Sequence, residues 1–206
     1  MHDYSIDKHP KEKILFTLAF IAIAAAPVIN VFTKNVVTSL NAHTGWSLPF
    51  VTAIPIFTLF IVIYCLFNNY LWKMRILRKI LLIPDLNGTW SCKGRTFLKN
   101  GTQIDFPWEG TITINQSWSK ICIILTTKTS RSYSVAASLF QESTGEFRLI
   151  YHYENKPAAD AIKLNKHEGT AEFMFDAKCK MANGYYYADR NRQSSGTISI
   201  SKDDGK

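Results

Sequence analysis

Between Leu48 and Trp72 the chain runs for 25 residues without a lysine, arginine, aspartate or glutamate. At ~1.5 Å rise per residue, a helix of that length outreaches the ~30 Å hydrocarbon core of a bilayer, so it spans with some tilt. Lys73, Arg75, Arg78 and Lys79 follow at once. Positive charge resists translocation, so such a cluster marks the cytoplasmic end of a span. The chain thus divides into an apolar anchor and, from Pro84 onward, a polar domain rich in strand patterns. A mean hydropathy near zero averages the two and hides the division.

A second apolar run, Ile14 to Phe32, has 19 residues without a formal charge and sits behind Lys8, Lys11 and Lys13. Its competitor is a cleaved signal peptide, because Ala24-Ala25-Ala26 resembles a small-residue cleavage site. Pro27 follows directly and the apolar run continues through Val28, Ile29, Val31 and Phe32, which favours retention as a helix. The connector from Thr33 to Ser47 carries only Lys34 as a formal charge. Basic residues before, between and after the spans therefore predict a helical hairpin with both termini cytoplasmic. The expected division is a cytoplasmic N-terminus (1–13), a first transmembrane helix (14–32), an external connector (33–47), a second transmembrane helix (48–72), a basic juxtamembrane segment (73–83) and a cytoplasmic domain (84–206). Neither span contains an acidic or basic residue, which argues against a dedicated ion or proton transporter. Pro27 and Pro55 are positions where the helices can kink.

From Pro84-Asp85-Leu86-Asn87-Gly88 the pattern changes to short strands separated by turn residues. We count eight: Thr89–Leu98, Gln103–Gln116, Lys120–Thr127, Ser132–Phe140, Phe147–Glu154, Glu168–Asp176, Tyr185–Arg190 and Gly196–Ser201. Several alternate, as in Tyr133, Val135, Ala137 and Leu139 against Ser132, Ser134 and Ser138, so one face is buried and one wet. Lys99-Asn100-Gly101, Ser143-Thr144-Gly145 and Asn183-Gly184 read as turns. Eight such strands with no helix to cover a sheet predict closure into an antiparallel, up-and-down, calycin-like β-barrel, with a two-sheet sandwich as the alternative.

The formal charge of +8 is uneven: residues 1–83 carry a net +5 and residues 84–206 a net +3. With no basic stripe in the C-terminal domain, a DNA or RNA duplex is not an expected partner. Cys65, Cys92, Cys122 and Cys179 are widely spaced, which indicates neither zinc nor a disulfide framework. No histidine pairs with a cysteine or serine in a recognisable motif, there is no phosphate-cradling loop, and Asp189 and Glu109 have no paired acid or base. The expectation is a binding module without catalytic residues, metal or cofactor. Its candidate ligand residues are Tyr185, Tyr187, Arg190 and Arg192, with Arg131, Tyr133, Lys93 and Arg95 as weaker repeats of the same signal. Tyrosine faces stack bases and guanidinium forks hold phosphates. The competing reading makes Tyr185 and Tyr187 core, Tyr186 half-exposed and the arginines solvated. Trp90 reads as a plug of the barrel.

Gly88-x-Trp90 followed by eight strands resembles the calycin barrels, in which Gly-x-Trp seals one end. The combination of a two-span hairpin, Leu86-Asn87-Gly88-Thr89-Trp90, a compact barrel and a late Gly184-Tyr185-Tyr186-Tyr187-x-Asp189-Arg190 strand before Gly196-Thr197-Ile198 resembles the membrane effectors of CBASS antiphage systems known as CD-NTase-associated protein fifteen. That resemblance covers essentially the whole chain. It implies a bacterial inner-membrane protein whose cytoplasmic barrel senses a cyclic oligonucleotide made on phage infection. The loaded protein would then form homo-oligomers through its membrane segments, disrupt the membrane and kill the infected cell. The residues alone leave two other readings open, a membrane-tethered lipocalin-like carrier of a lipid or small metabolite and a structural anchor that recruits a protein partner.

Overall fold

The computed structural model describes residues 1–45, 56–157, 166–190 and 192–203. The chain forms two compact units, one of His9–Trp72 and one of Met1–Lys8 with Lys73–Lys206. The first holds helix α1 (Lys11–Thr44) and helix α2 (Ile56–Asn69). Both segments are long and apolar enough to cross a membrane, over Lys11–Thr44 and Ile56–Lys73. Helix α1 runs through Pro27 and continues well past Phe32, so the expected connector is helical as far as Thr44. The reason is local: Thr33, Thr38 and Thr44 hydroxyls bond back to the carbonyls of Ile29, Lys34 and Leu40, and no glycine or proline intervenes before Gly45. The first part of the expected second span, Pro55 included, lies outside the described residues.

The second unit is the barrel. Two short strands at the N-terminus, β1 (His2–Asp3) and β2 (Ser5–Ile6), precede helix α3 (Arg75–Leu81) in the chain. Eight longer strands then follow: β3 (Gly88–Lys99), β4 (Thr102–Gln116), β5 (Lys120–Thr127), β6 (Ser130–Gln141), β7 (Phe147–Pro157), β8 (His167–Phe175), β9 (Met181–Ala188) and β10 (Ser194–Lys202). Each pairs antiparallel with the next, and β10 returns to pair with β3, which closes an up-and-down barrel. The eight expected strands all form.

Three local expectations fail. On β6 a bulge between Ser134 and Ala136 breaks the expected alternation, so Ser132 and Ser134 are buried along with Ala137 and Leu139 while Val135 is exposed. The seventh strand begins at Met181, and Asn183-Gly184 lies inside it. The turn before it is formed at 176–180 around Asp176, whose carboxylate accepts the Lys180 and Met181 amides at 2.7 and 2.9 Å. Gly184 serves close packing, because a Cβ there would collide with the Glu172 carbonyl on β8. In the triple tyrosine, Tyr186 points inward at 9% exposure while Tyr185 and Tyr187 face outward at 42% and 57%, the reverse of the core reading.

One seam differs from the rest. Strands β5 and β6 pair directly only at Ile124–Tyr133, Leu125–Ser132 and Thr126–Arg131. Beyond that they diverge, and the N-terminal segment fills the gap, with β1 antiparallel to β5 and β2 parallel to β6. Tyr4, between the two short strands, is buried.

The barrel interior is graded. At the end where β3 begins, Trp90, Ile112, Ile114, Phe173, Phe175, Ile198 and Ile200 form an apolar core. Trp90 seals this end as expected: its Nε1 donates to the Leu86 carbonyl at 3.1 Å and its ring meets Phe175 edge-on. Asn87 ties the start of β3 to the end of β4, since its Oδ1 accepts the Gln116 amide at 2.7 Å. Toward the other end the inward residues turn polar.

Candidate functional site

At the polar end the inward positions of β3, β6, β7, β8 and β10 are Thr96, Ser132, Asn155, His167 and Ser194, all buried. Period-two alternation carries the polar residues inward as readily as it carries Ile and Phe inward at the other end. Burying such groups is tolerated only when they are hydrogen-bonded. Thr96 meets the Tyr186 hydroxyl at 2.6 Å, and Asn155 Nδ2 donates to Ser130 Oγ at 3.1 Å. Arg192 Nη1 lies 3.3 Å from His167 Nδ1. A guanidinium has no acceptor, so Nδ1 accepts and the ring proton of neutral His167 sits on Nε2.

Three aromatic rings line this end, each opposite a glycine on the neighbouring strand: Trp108 across from Gly94, Tyr153 across from Gly169 and Tyr186 across from Gly196. A Cβ at any of the three glycines would collide with its ring. The missing side chain lets the ring lie close to the sheet instead of projecting across the lumen. Burial holds the Tyr153 hydroxyl well above its ordinary pKa, with the positive charge of Arg192 acting in the opposite sense. Tyr153 therefore stays a neutral hydrogen-bonding group at physiological pH.

Among the described residues Asn155 Oδ1 is buried without a hydrogen-bond partner, in a residue only 7% exposed. An unmatched buried acceptor costs about 1–3 kcal/mol, which a donor brought to it would recover. Asn155 also connects the interior to the rim. Its partner Ser130 lines a groove of about 290 Å³ together with Thr127, Arg131, Tyr133 and Lys156. The Arg131 guanidinium and the Lys156 ammonium lie 5.6 and 5.8 Å from the Tyr133 ring centre.

The sequence candidates thus fall in three places. Arg192 is at the polar end of the interior, held by a loop that Asp189 organises through the Gln193 and Glu168 amides, at 2.8 and 3.3 Å; Arg190 is exposed on the same loop. Arg131 and Tyr133 are in the adjacent rim groove. Tyr185, Tyr187, Lys93 and Arg95 lie on the outer face of β9, β10 and β3, where Tyr185, Thr197 and Arg95 form one cross-strand row. There Arg95 is paired with Asp105 at 2.9 Å. Asn155, His167, Tyr153, Trp108 and Tyr186 were missed. Glycines inside strand patterns were the available signal, but naming their ring partners needs the register.

The chemistry on offer is ring faces, a guanidinium, flanking cations and a buried acceptor. It suits a flat heterocycle bearing N–H donors and an anionic group. The comparisons with known proteins agree in kind. Residues 81–202 match the family model described as Cap15, cyclic dinucleotide receptor domain, and residues 12–73 match Cap15, TM helices. CD-NTase-associated protein 15 of Yersinia aleksiciae is 35% identical over 185 residues, covering 90% of this chain and 85% of that protein. With matches across both units and over nine-tenths of its length, the chain belongs to the Cap15 family of CBASS effectors.

Proposed function

We propose that the barrel receives a cyclic dinucleotide at its polar end, and that the loaded chains assemble within the bacterial inner membrane and disrupt it. The observation that carries the site is the buried Asn155 Oδ1, without a partner among the described residues, on the residue paired with His167, which Arg192 contacts, at the end lined by three wall-lying rings. A base N–H satisfies the acceptor, the rings stack on bases, and Arg192 with rim residues Arg131 and Lys156 meets the phosphates. Arg190, Arg192, Arg131 and Tyr133 remain ligand candidates in this reading. Lys93, Arg95, Tyr185 and Tyr187 form a separate outer face. The ligand stabilises the competent state by mass action once it accumulates. Confinement to two dimensions raises the effective concentration of chains, so a modest new contact assembles many of them.

Topology has its own support. Met1–Lys8 pairs with β5 and β6, so the segments before and after the membrane part share one compact unit. That favours an even number of crossings, spans over 14–32 and 48–72, and both termini with the barrel on the cytoplasmic side, where Lys73, Arg75, Arg78 and Lys79 also belong.

The test is calorimetric titration of the purified full chain with a panel of cyclic dinucleotides. One member is expected to bind at micromolar or tighter affinity. Arg192→Ala and Asn155→Ala are each expected to weaken it at least ~10-fold, the effect of about 1.4 kcal/mol. Tyr185→Ala should leave affinity within ~2-fold, an effect below about 0.5 kcal/mol. Equal affinity in all three variants sinks the site, and no binding by any panel member sinks the receptor reading.

A further inference from the structure

A second cavity lies at the sealed end of the barrel unit, about 540 Å³ in volume, between α3 and the β8–β9 turn. Six of its lining residues are cationic: Arg75, Arg78 and Lys79 from α3, Lys178 and Lys180 from the turn, and Lys202 from the end of β10. Asp85 is the one acidic residue in the lining among the described residues. Its Oδ1 is already engaged, accepting from the Asn87 side chain at 2.7 Å and the Asn87 amide at 3.2 Å. Arg78 Nε is buried there without a hydrogen-bond partner among the described residues. Six cationic side chains on one cavity make a surface of positive potential that attracts an anion.

The surroundings say which anion. Helix α3 starts two residues after Lys73, where the apolar segment Ile56–Lys73 ends. On α3 the cations line the cavity while Ile76 and Ile80, four residues apart, are exposed and stand outside its lining. A short helix with basic residues on one side and bare isoleucines on the other suits the boundary between headgroups and acyl chains. A soluble phosphate ligand would give those isoleucines nothing to bury against.

We propose that this cavity binds the phosphate of an anionic phospholipid headgroup. This differs from the general attraction of a basic juxtamembrane segment to lipid. Lys178, Lys180 and Lys202 are about a hundred residues away in sequence and join the site only through the fold.

The test is thermal unfolding of the full chain in a non-ionic detergent. The probes are dihexanoyl-phosphatidylglycerol, dihexanoyl-phosphatidylcholine and inorganic phosphate. The expected result is an upward shift with phosphatidylglycerol alone. It should be largely lost in the Lys178→Gln, Lys180→Gln double variant and reduced in Lys202→Gln. The double variant should melt at the parental temperature without lipid, since its glutamines lie in a surface turn; Lys202→Gln also removes the ammonium that lies 5.3 Å from the Trp90 ring, so its lipid shift is read against its own lipid-free melting temperature. An equal shift with inorganic phosphate overturns the lipid assignment in favour of a free anion. An undiminished shift in both variants, or no shift with phosphatidylglycerol, overturns the site. A variant that keeps the lipid shift but loses its response to cyclic dinucleotide makes this cavity a messenger site and refutes the assignment.

Discussion

Replacing Tyr4 by alanine should open the seam between β5 and β6 while the other seven strand pairings of the barrel hold. The tyrosine is 3% exposed, and it fills the gap that β5 and β6 leave beyond their three direct pairs. Its hydroxyl accepts from Gln116 Nε2 at 3.0 Å and donates to the Ser117 carbonyl at 3.4 Å. Gln116 Oε1 in turn accepts the Leu86 amide at 2.9 Å, which ties the wedge to the chain entering the barrel. Removing a buried aromatic side chain costs about 3–5 kcal/mol, a large share of the ~5–15 kcal/mol that holds a typical domain. Tyr4→Phe keeps the ring but takes the acceptor from Gln116 Nε2 and the donor from the Ser117 carbonyl, for about 1–2 kcal/mol. Thermal unfolding of the full chain should therefore rank parent above Tyr4→Phe above Tyr4→Ala. Hydrogen exchange should locate the damage. The Ile121 and Ile123 amides on β5 and the Asp7 amide, which donates to Leu139 at 2.9 Å, should exchange faster in Tyr4→Ala, while β8 and β9 amides stay protected. A Tyr4→Ala protein within ~1 kcal/mol of the parent, with β5 exchange unchanged, would refute the idea that the N-terminus is an integral part of the barrel.

Alkaline pH should destabilise the barrel through groups that the fold keeps protonated. Burial raises Tyr4 to about 12, opposed by its hydrogen bond to Gln116, and raises Cys92 to about 12. In each case the native state holds its proton more tightly than the unfolded chain does. The stability they contribute is thus whole below pH ~9 and falls as pH rises through ~9–12. A Cys92→Ala, Tyr4→Phe protein should show a shallower decline in melting temperature from pH 8.5 to 11, and parallel curves would contradict the assignment. Gly94→Ala should cost about 1–3 kcal/mol by driving a Cβ into the Trp108 ring, read as a lower melting temperature with altered tryptophan fluorescence. An unchanged spectrum would mean that the ring does not rest on that glycine.

The sequence alone determined the parts whose physics is local or additive. Uncharged runs of 19 and 25 residues are membrane-length whatever surrounds them. Period-two alternation revealed eight strands because each strand has one wet face. The Trp90 plug was legible through the resemblance of Gly88-x-Trp90 to the strand start that seals calycin barrels. Tertiary structure decided everything that depends on register. Met181–Ala188 has no apolar–polar contrast across its three tyrosines, so only pairing of Tyr186 with Gly196 turns that ring inward and its neighbours out. Asn155 and His167 stand on different strands and meet because β7 pairs with β8. The N-terminal strands, two residues each, are too short to show a period, and their partners lie more than a hundred residues away. Propensity and hydropathy are properties of neighbours in the chain, whereas a binding site is made by neighbours in space.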